Sequence, residues 1–205
     1  MIITRPSKYF IKLQAGDTIV AVNPVSKESK EKSARFGADI ALVSLNHPDM
    51  NGVETLQFGE KIPYTVNGPG EYEIKGIFAK GFASKSNYSK SDSKLNTVYF
   101  LSMDNISMCF LGAISDTKLS DEALEAVDEI DILFVPVSSD TLSPQEAYKL
   151  AVSLEAKIII PLGEDTDIKT FNKEAGGEKV ETQEKLTLKK KDLDGKEGEV
   201  VILSI

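Results

Sequence analysis

The hydrophobic pattern of this chain changes rhythm near its middle, and that change restricts the fold more than any other feature. The first half consists of short apolar runs separated by turn residues, which is typical of β-strands. The second half alternates helical patterns with fully apolar runs, which is typical of buried strands joined by helices. Strands followed by βα units indicate an α+β or layered α/β domain. The predicted strands of the first half are residues 9–13, 18–22, 39–43, 62–66, 77–82, 97–103 and 106–110.

Capping and turn residues predict several element boundaries. Asp104-Asn105 separates two strand patterns, and both residue types tolerate the positive φ angles of a two-residue hairpin turn. Ser120 is a predicted helix N-cap, and Ser143-Pro144-Gln145-Glu146 combines a serine cap, a first-turn proline and a capping-box glutamate. Further predictions are strands at residues 130–136, 158–160 and 200–203, and a helix at 168–175 that ends at Gly176-Gly177.

Three segments rich in polar or turn residues are interpreted as loops or turns. Residues 84–94 are rich in serine and lysine and lack aliphatic side chains, so we expect a mobile loop. Residues 189–195 begin with three lysines, but acidic residues and Asp-Gly follow, which favours a solvated hairpin turn over a nucleic-acid patch. Gly68-Pro69-Gly70 lacks the lysine of a phosphate loop and precedes a strand pattern, so we interpret it as a turn.

Size and charge limit the number of domains and the kinds of partner. The 205 residues, 41% of them hydrophobic, predict a single domain that spans residues 1–205. The net charge of −8 argues against nucleic acid or an anionic membrane as partner, because both require a basic surface. The sequence has neither a long apolar run nor a signal-peptide pattern, so we expect a cytoplasmic protein. Cys109 lies in an apolar stretch and is predicted to be a buried thiol.

Two segments resemble a known family. Residues 37–51, Gly-Ala-Asp-Ile-Ala-Leu-Val-Ser-Leu-Asn-His-Pro-Asp-Met-Asn, resemble the strand and loop of metallo-β-lactamase-fold hydrolases, where Ala-Asp opens the strand and Thr-His-x-His-x-Asp-His follows. Residues 67–76, Asn-Gly-Pro-Gly-Glu-Tyr-Glu-Ile-Lys-Gly, resemble a segment of the branch that includes the L-ascorbate-6-phosphate lactonase-like proteins. Shorter matches follow the family's order at residues 23–24, 110–113 and 160–163. The resemblance implies a four-layer αββα sandwich with metal ligands on loops along one edge.

The resemblance also implies a two-zinc site, of which this chain keeps few ligands. Family members bind zinc through imidazoles and a bridging carboxylate, which lower the pKa of a bound water. His47 is the only histidine of the chain; it and Asp49 match ligand positions. The other aligned ligand positions hold Leu45, Met50, Ala113, Asp116 and Gly163. Because a catalytic zinc normally takes three protein ligands, we expect no tight zinc site and no cofactor, with zinc, manganese or magnesium as the alternative.

Candidate site residues follow from the same alignment. His47 and Asp49 are candidate catalytic residues, and they would bind a metal together with Asp116, if any metal is bound. Ser44, Asn51 and Glu164 are predicted to line a polar cleft, and Glu164 could join Asp49 and Asp116 around Mg²⁺ or Mn²⁺. Without metal, His47 could act as a general base oriented by a carboxylate. A structural role is the simpler interpretation, in which Asp49 caps a helix that begins near Asn51 or accepts loop amides.

Three functions are consistent with these residues. The first is a zinc-less, non-hydrolytic binding or scaffold protein with a degenerate site, and we expect this one because the aligned ligands are missing at unconnected points of the chain. The second is a metal-dependent hydrolase of a phosphorylated sugar, lactone or phosphodiester with a reduced or carboxylate-rich site. The third is partner binding or homo-oligomerisation through a sheet edge or the cleft mouth, suggested by apolar Leu45 and Met50. The expected partner is an unknown small molecule or protein.

Overall fold

The computed structural model describes residues 1–90, 94–126, 129–177, 179 and 181–205. Its strands, in chain order, are β1 (Ile2–Thr4), β2 (Ile11–Ala15), β3 (Thr18–Val22), β4 (Ile40–Leu42), β5 (Tyr64–Val66), β6 (Gly70–Ile74), β7 (Ile77–Ser86), β8 (Lys94–Met103), β9 (Ile106–Phe110), β10 (Ile132–Val137), β11 (Ile158–Gly163), β12 (Thr182–Gln183), β13 (Lys185–Thr187), β14 (Glu199–Val200) and β15 (Ile202–Leu203). Its helices are α1 (Asp121–Glu125), α2 (Pro144–Ser153) and α3 (Asp165–Glu174). Short 3₁₀ helices lie at Val53–Leu56, Tyr88–Lys90 and Lys190–Leu193.

Two large sheets organise the described part of the chain. The first sheet has the strand order β13-β1-β2-β3-β4-β5, and the second has the order β14-β11-β10-β9-β8-β7-β6. Strands β9, β10, β11 and β14 run parallel, while β6 to β9 form an antiparallel meander. In the second sheet the antiparallel and parallel parts correspond to the two rhythms of the sequence, because parallel strands need crossover connections and antiparallel strands need only turns. In the first sheet β3, β4 and β5 also run parallel, although all three come from the first half of the chain.

Three buried clusters fill the spaces between the layers. The central cluster lies between the sheets and includes Ile11, Leu42, Tyr99 and Phe134. A second cluster joins the outer face of the β6–β14 sheet to the helices and includes Leu133, Leu150 and Phe171. A third covers the outer face of the β1–β5 sheet with Phe10, Val25, Ala38 and Leu56, which belong to loops and a 3₁₀ helix. The predicted layered α/β class is confirmed, with the described α-helices packed on one of the two sheets.

The local turn and capping predictions are confirmed. Asp104 and Asn105 have φ angles of 56° and 59° and join β8 to β9. Ser143 and Glu146 form the reciprocal capping box that precedes α2, with Pro144 at its first position. The Ser120 side chain accepts a hydrogen bond from Ala123 at the start of α1. Each signal acts within three or four residues, which is why sequence alone could reveal it.

Two segment predictions differ from the structure. Residues 84–86 continue β7 and residue 94 begins β8, so four of the eight described positions of the expected 84–94 loop are paired strand. Tyr88–Lys90 form a 3₁₀ helix, and residues 91–93 lie outside the described residues. Residues 190–193 form a 3₁₀ helix, and the Leu193 side chain in it is fully buried in the central cluster. Lys190 reaches the buried carboxylate of Asp131 over 2.6 Å. Leu193 anchors this charged segment to the hydrophobic core. The segment is therefore not the solvated hairpin turn that its composition predicted.

Some predicted boundaries also move. Helix α3 begins at Asp165, before the predicted start at residue 168, because its polar first turn carries no apolar signal. The predicted closing strand at 200–203 is divided into β14 and β15, which pair with different neighbours. None of the helices in the described part of the chain is long and apolar enough to cross a bilayer.

Candidate functional site

The loop after β4 carries His47 and crosses from one sheet to the other. Leu45 forms an isolated bridge with Asn96 of β8, and the Thr97 amide donates to the Ser44 carbonyl over 2.8 Å. The His47 carbonyl accepts from the amides of Met50 and Asn51, which closes the loop into a tight turn. This turn holds His47 and Asp49 side by side at the edge where the two sheets meet.

The hydrogen bonding of His47 determines its protonation state. Its Nδ1 accepts the Asp49 backbone amide over 3.2 Å and lies 3.5 Å from Asp49 Oδ2. Burial lowers the pKa of His47, the Asp49 carboxylate raises it, and nearby Lys94 lowers it, with a net shift downward. The imidazole is therefore neutral at pH 7, and since Nδ1 is the acceptor, the ring proton is on Nε2. In this state neither ring nitrogen offers the free lone pair that a general base requires.

The Asp49 carboxylate is occupied by two hydroxyl donors. The Tyr88 hydroxyl donates to Oδ2 over 2.7 Å, and the Ser29 hydroxyl donates to Oδ1. The predicted capping role is not observed, because the 3₁₀ helix at Val53–Leu56 follows Gly52 and has no side-chain cap. Burial raises the pKa of Tyr88 far above its usual range, and the carboxylate raises it further, so Tyr88 remains a protonated donor.

Apolar and aromatic side chains fill the space behind this carboxylate. Leu45 and Met50 are 1% and 0% exposed, and both belong to the central core cluster. The Tyr88 ring packs edge-on against His47 at 5.0 Å and against Tyr9 at 5.6 Å. Sequence reasoning treated Leu45 and Met50 as a possible exposed patch at the cleft mouth. Their burial removes that reason for expecting an interface here.

Two further loops approach the same edge without offering a ligand side chain. A Cβ atom added to Gly163, at the end of β11, would lie 2.1 Å from the Val137 carbonyl oxygen, so the backbone itself excludes a side chain there. The buried Arg5 guanidinium donates to the Gly163 carbonyl and to the Leu203 carbonyl. The Ala113 amide donates to the Asn96 side chain over 2.8 Å. Neutral hydrogen bonds and one guanidinium hold these loops in place.

The remaining predicted site residues are dispersed among separate partners. Asp116 accepts the backbone amide of Lys85 over 3.1 Å, and Glu164 pairs with Lys8 over 2.6 Å. Among the described residues, no group of three His, Cys, Asp or Glu side chains could hold a metal ion. The arrangement therefore does not bring Asp116 or Glu164 together with His47 and Asp49 as a ligand set.

The predicted cleft residues Ser44 and Asn51 do lie together in an open groove of about 650 Å³. The groove runs between the end of β4, the edge strand β5 and the start of β8. Its described lining is formed by Val43, Ser44, Leu45, Asn46, Asn51, Val53, Thr65, Asn67, Lys94, Leu95 and Thr97. His47, Asp49, Asp116 and Glu164 are not among these residues. The Asn51 amide donates to the Asn46 side chain over 2.7 Å.

A family model described as a β-lactamase superfamily domain matches residues 7–163, which is more than half of the chain. The two-sheet fold agrees with that match. The chain belongs to the metallo-β-lactamase superfamily. A comparison with curated proteins finds no significant match.

Several solved structures share the fold over nearly the whole chain. A Thermotoga maritima member, described provisionally as a zinc-dependent hydrolase, has a TM-score of 0.71 and 23% identity and covers 98% of this chain and 97% of its own. A Parabacteroides distasonis protein, described provisionally as a metal-dependent hydrolase, has a TM-score of 0.68 and 17% identity, with 98% and 91% coverage. Igni18, a metallo hydrolase from the archaeon Ignicoccus hospitalis, has a TM-score of 0.61 and 16% identity, with 92% and 99% coverage. At these identities the comparison establishes the fold alone.

Zinc, the metal of metallo-β-lactamase hydrolases, does not fit the described residues. His47 is the one imidazole in the chain, Asp49 is engaged by Tyr88 and Ser29, and the backbone around Gly163 excludes a side chain. A catalytic zinc normally needs three protein ligands and an open position. The described residues therefore support no catalytic step through a bound zinc.

Sequence reasoning missed the side chains that hold the site together. Tyr88 lies in a serine-rich segment that looked like a loop, and Asn96 lies in a strand where it resembles an ordinary polar residue. The Asn96 amide donates to the Leu111 carbonyl and to Ser84, and its oxygen accepts from Ala113. Nothing in the local sequence marks either residue, because their partners lie 12 to 39 positions away.

Proposed function

We propose that this metallo-β-lactamase-fold protein works without the zinc pair and binds a small molecule or protein partner instead of hydrolysing a substrate. The observation that carries the proposal is the filled space behind Asp49, where Leu45, Met50 and Tyr88 belong to the hydrophobic core. A core packed in this way provides neither the ligands nor the open position that a metal-activated water requires. The similarity of residues 67–76 to the lactonase-like branch supports a place near that branch.

The chemistry of the two surviving polar residues supports the same proposal. The Asp49 carboxylate already accepts two hydroxyl hydrogen bonds, and these bonds contribute to the stability of the folded state. The neutral His47 has its acceptor nitrogen occupied by a backbone amide. Both residues thus act as loop-fixing groups, which is the structural role that their sequence context permits.

Metal content is the direct test of this proposal. We expect protein purified without chelators to contain far less than one equivalent of zinc, manganese or iron, and its melting temperature to be unchanged by EDTA or by added zinc. Near-stoichiometric metal that is lost in His47→Ala would overturn the proposal. The variant Lys169→Ala, which changes an exposed lysine of α3, controls for nonspecific loss of metal on mutation.

A hydrolase assay separates the proposal from the metal-dependent hydrolase alternative. The protein is incubated with generic lactone, phosphodiester and ester substrates, with and without Zn²⁺, Mn²⁺ or Mg²⁺, and we expect no turnover above the metal-only blank. Turnover that is abolished by Asp49→Ala at unchanged melting temperature would replace our proposal with the hydrolase. Asp17→Ala, which changes an exposed carboxylate outside the site, provides the matched control.

A further inference from the structure

The groove beside β5 has the chemistry of a peptide-binding site. We infer that this groove binds a short peptide through the free C-terminal carboxylate of the peptide. The assignment names the ligand class of the proposed binding function and rests on that function. The groove volume of about 650 Å³ falls within the usual range of small-molecule sites. It suits a peptide of two or three residues.

The charge of the groove lining indicates which end of a peptide would bind there. Lys94 is the one charged residue in the described lining of the groove, and no carboxylate lines it among those residues. Lys94 forms no ion pair with any described residue, so its ammonium is available to a ligand anion. The chain as a whole has a net charge of −8, but the local balance of one ammonium and no carboxylate in the described lining favours a monoanion over a cation. A terminal carboxylate is the monoanion that every peptide carries.

The neutral polar side chains of the groove lining match the backbone amide groups of a peptide. Asn46, Asn51 and Asn67 present primary amides, each of which combines a donor and an acceptor as a peptide group does. The bond between Asn51 and Asn46 leaves the Asn46 amino group and the Asn51 oxygen to pair with a ligand amide. Amide side chains matched to peptide groups explain a lining with many hydrogen-bonding groups and a single charge.

The open edge of β5 supplies a backbone partner. Strand β5 is an edge strand paired to β4, and its Tyr64 amide and Val66 carbonyl bond toward that neighbour. Backbone groups alternate along a strand, so the N–H and C=O of Thr65 point to the open side. An extended peptide can add to this edge, as in other cases of strand addition. Leu95, 61% exposed at the rim, and Val53 offer apolar surface to a ligand side chain.

The test compares two peptides that differ in one group. Binding of N-acetyl-Gly-Val-Leu with a free carboxylate and of its C-terminal amide is measured by isothermal titration calorimetry at low salt. We expect saturable binding of the acid, at least about tenfold weaker binding of the amide, and loss of this difference in Lys94→Met, because a charge-assisted hydrogen bond is removed in each case. Lys85→Met, a lysine change on the same hairpin outside the groove lining, should preserve the tenfold preference.

A second variant examines the amide contacts. Asn51→Ala should weaken acid and amide alike by several fold while leaving their ratio unchanged, with circular dichroism and melting temperature confirming the fold. Equal binding of the two peptides, absence of saturable binding, or a preference that survives Lys94→Met would each overturn the assignment. Metal content is measured on the same preparation. Stoichiometric metal overturns the proposed function, whereas metal-free protein that fails to discriminate the peptides overturns the groove assignment.

Discussion

The Tyr88 hydroxyl is expected to contribute measurably to stability, because it donates to a carboxylate that the loops enclose. Tyr88→Phe removes this hydroxyl and keeps the ring that packs against Tyr9 and His47. A hydrogen bond to a charged group contributes about 1.5–3 kcal/mol, and the carboxylate keeps its bond from Ser29, so we expect a loss of about 2 kcal/mol. For a chain of this size that loss lowers the melting temperature by about 4–8 °C.

Urea denaturation provides the assay for this prediction. Tyr88→Phe should lower the midpoint at an unchanged m-value, which reports a change in stability without a change in the surface exposed on unfolding. Tyr64→Phe, whose ring is 54% exposed, should stay within about 0.5 kcal/mol of the wild type. A double-mutant cycle with Asp49→Ala, which removes the acceptor, measures the coupling energy between the two side chains. A Tyr88→Phe variant as stable as Tyr64→Phe would refute the claim that this bond fixes the loops.

Three further changes test the packing and electrostatics. Gly163→Ala should destabilise the protein by about 3 kcal/mol, because the new Cβ meets the Val137 carbonyl at 2.1 Å. Leu193→Ala should cost about 2–5 kcal/mol, because the side chain is fully buried despite its charged neighbours. Asp39→Asn should lower stability at pH 7 by about 1 kcal/mol, since hydrogen bonds outweigh burial and hold the pKa of Asp39 at about 2.

Each of these changes has a control and a contrary outcome. Gly68→Ala adds a Cβ with no atom within 4 Å and should be nearly neutral; an equal effect at Gly163 would show that β11 can shift. A neutral Leu193→Ala would restore the solvated-turn interpretation of 189–195. The depressed pKa of Asp39 stabilises the fold fully above its unfolded value near 4, and this contribution is lost as pH falls toward 2. Stability that falls equally in Asp39→Asn over that window would contradict the assignment.

The sequence by itself determined the fold class, the hairpin at Asp104-Asn105, the capping box at Ser143 and the loop that carries His47. Its resemblance to the family also predicted that apolar residues or glycine occupy several ligand positions, because such an alignment depends on residue identity alone. These features are local or compositional, and each depends on residues within a few positions of one another.

Only the tertiary structure decided what occupies the edge of the two sheets. Asp49 receives its hydrogen bond from Tyr88, 39 positions away, and Gly163 is held by Arg5, 158 positions away. The groove combines residues of β5 and β8 whose neighbourhood follows from how the two sheets pack. Such long-range pairings are set by strand order and register, so the chain's local pattern cannot reveal them.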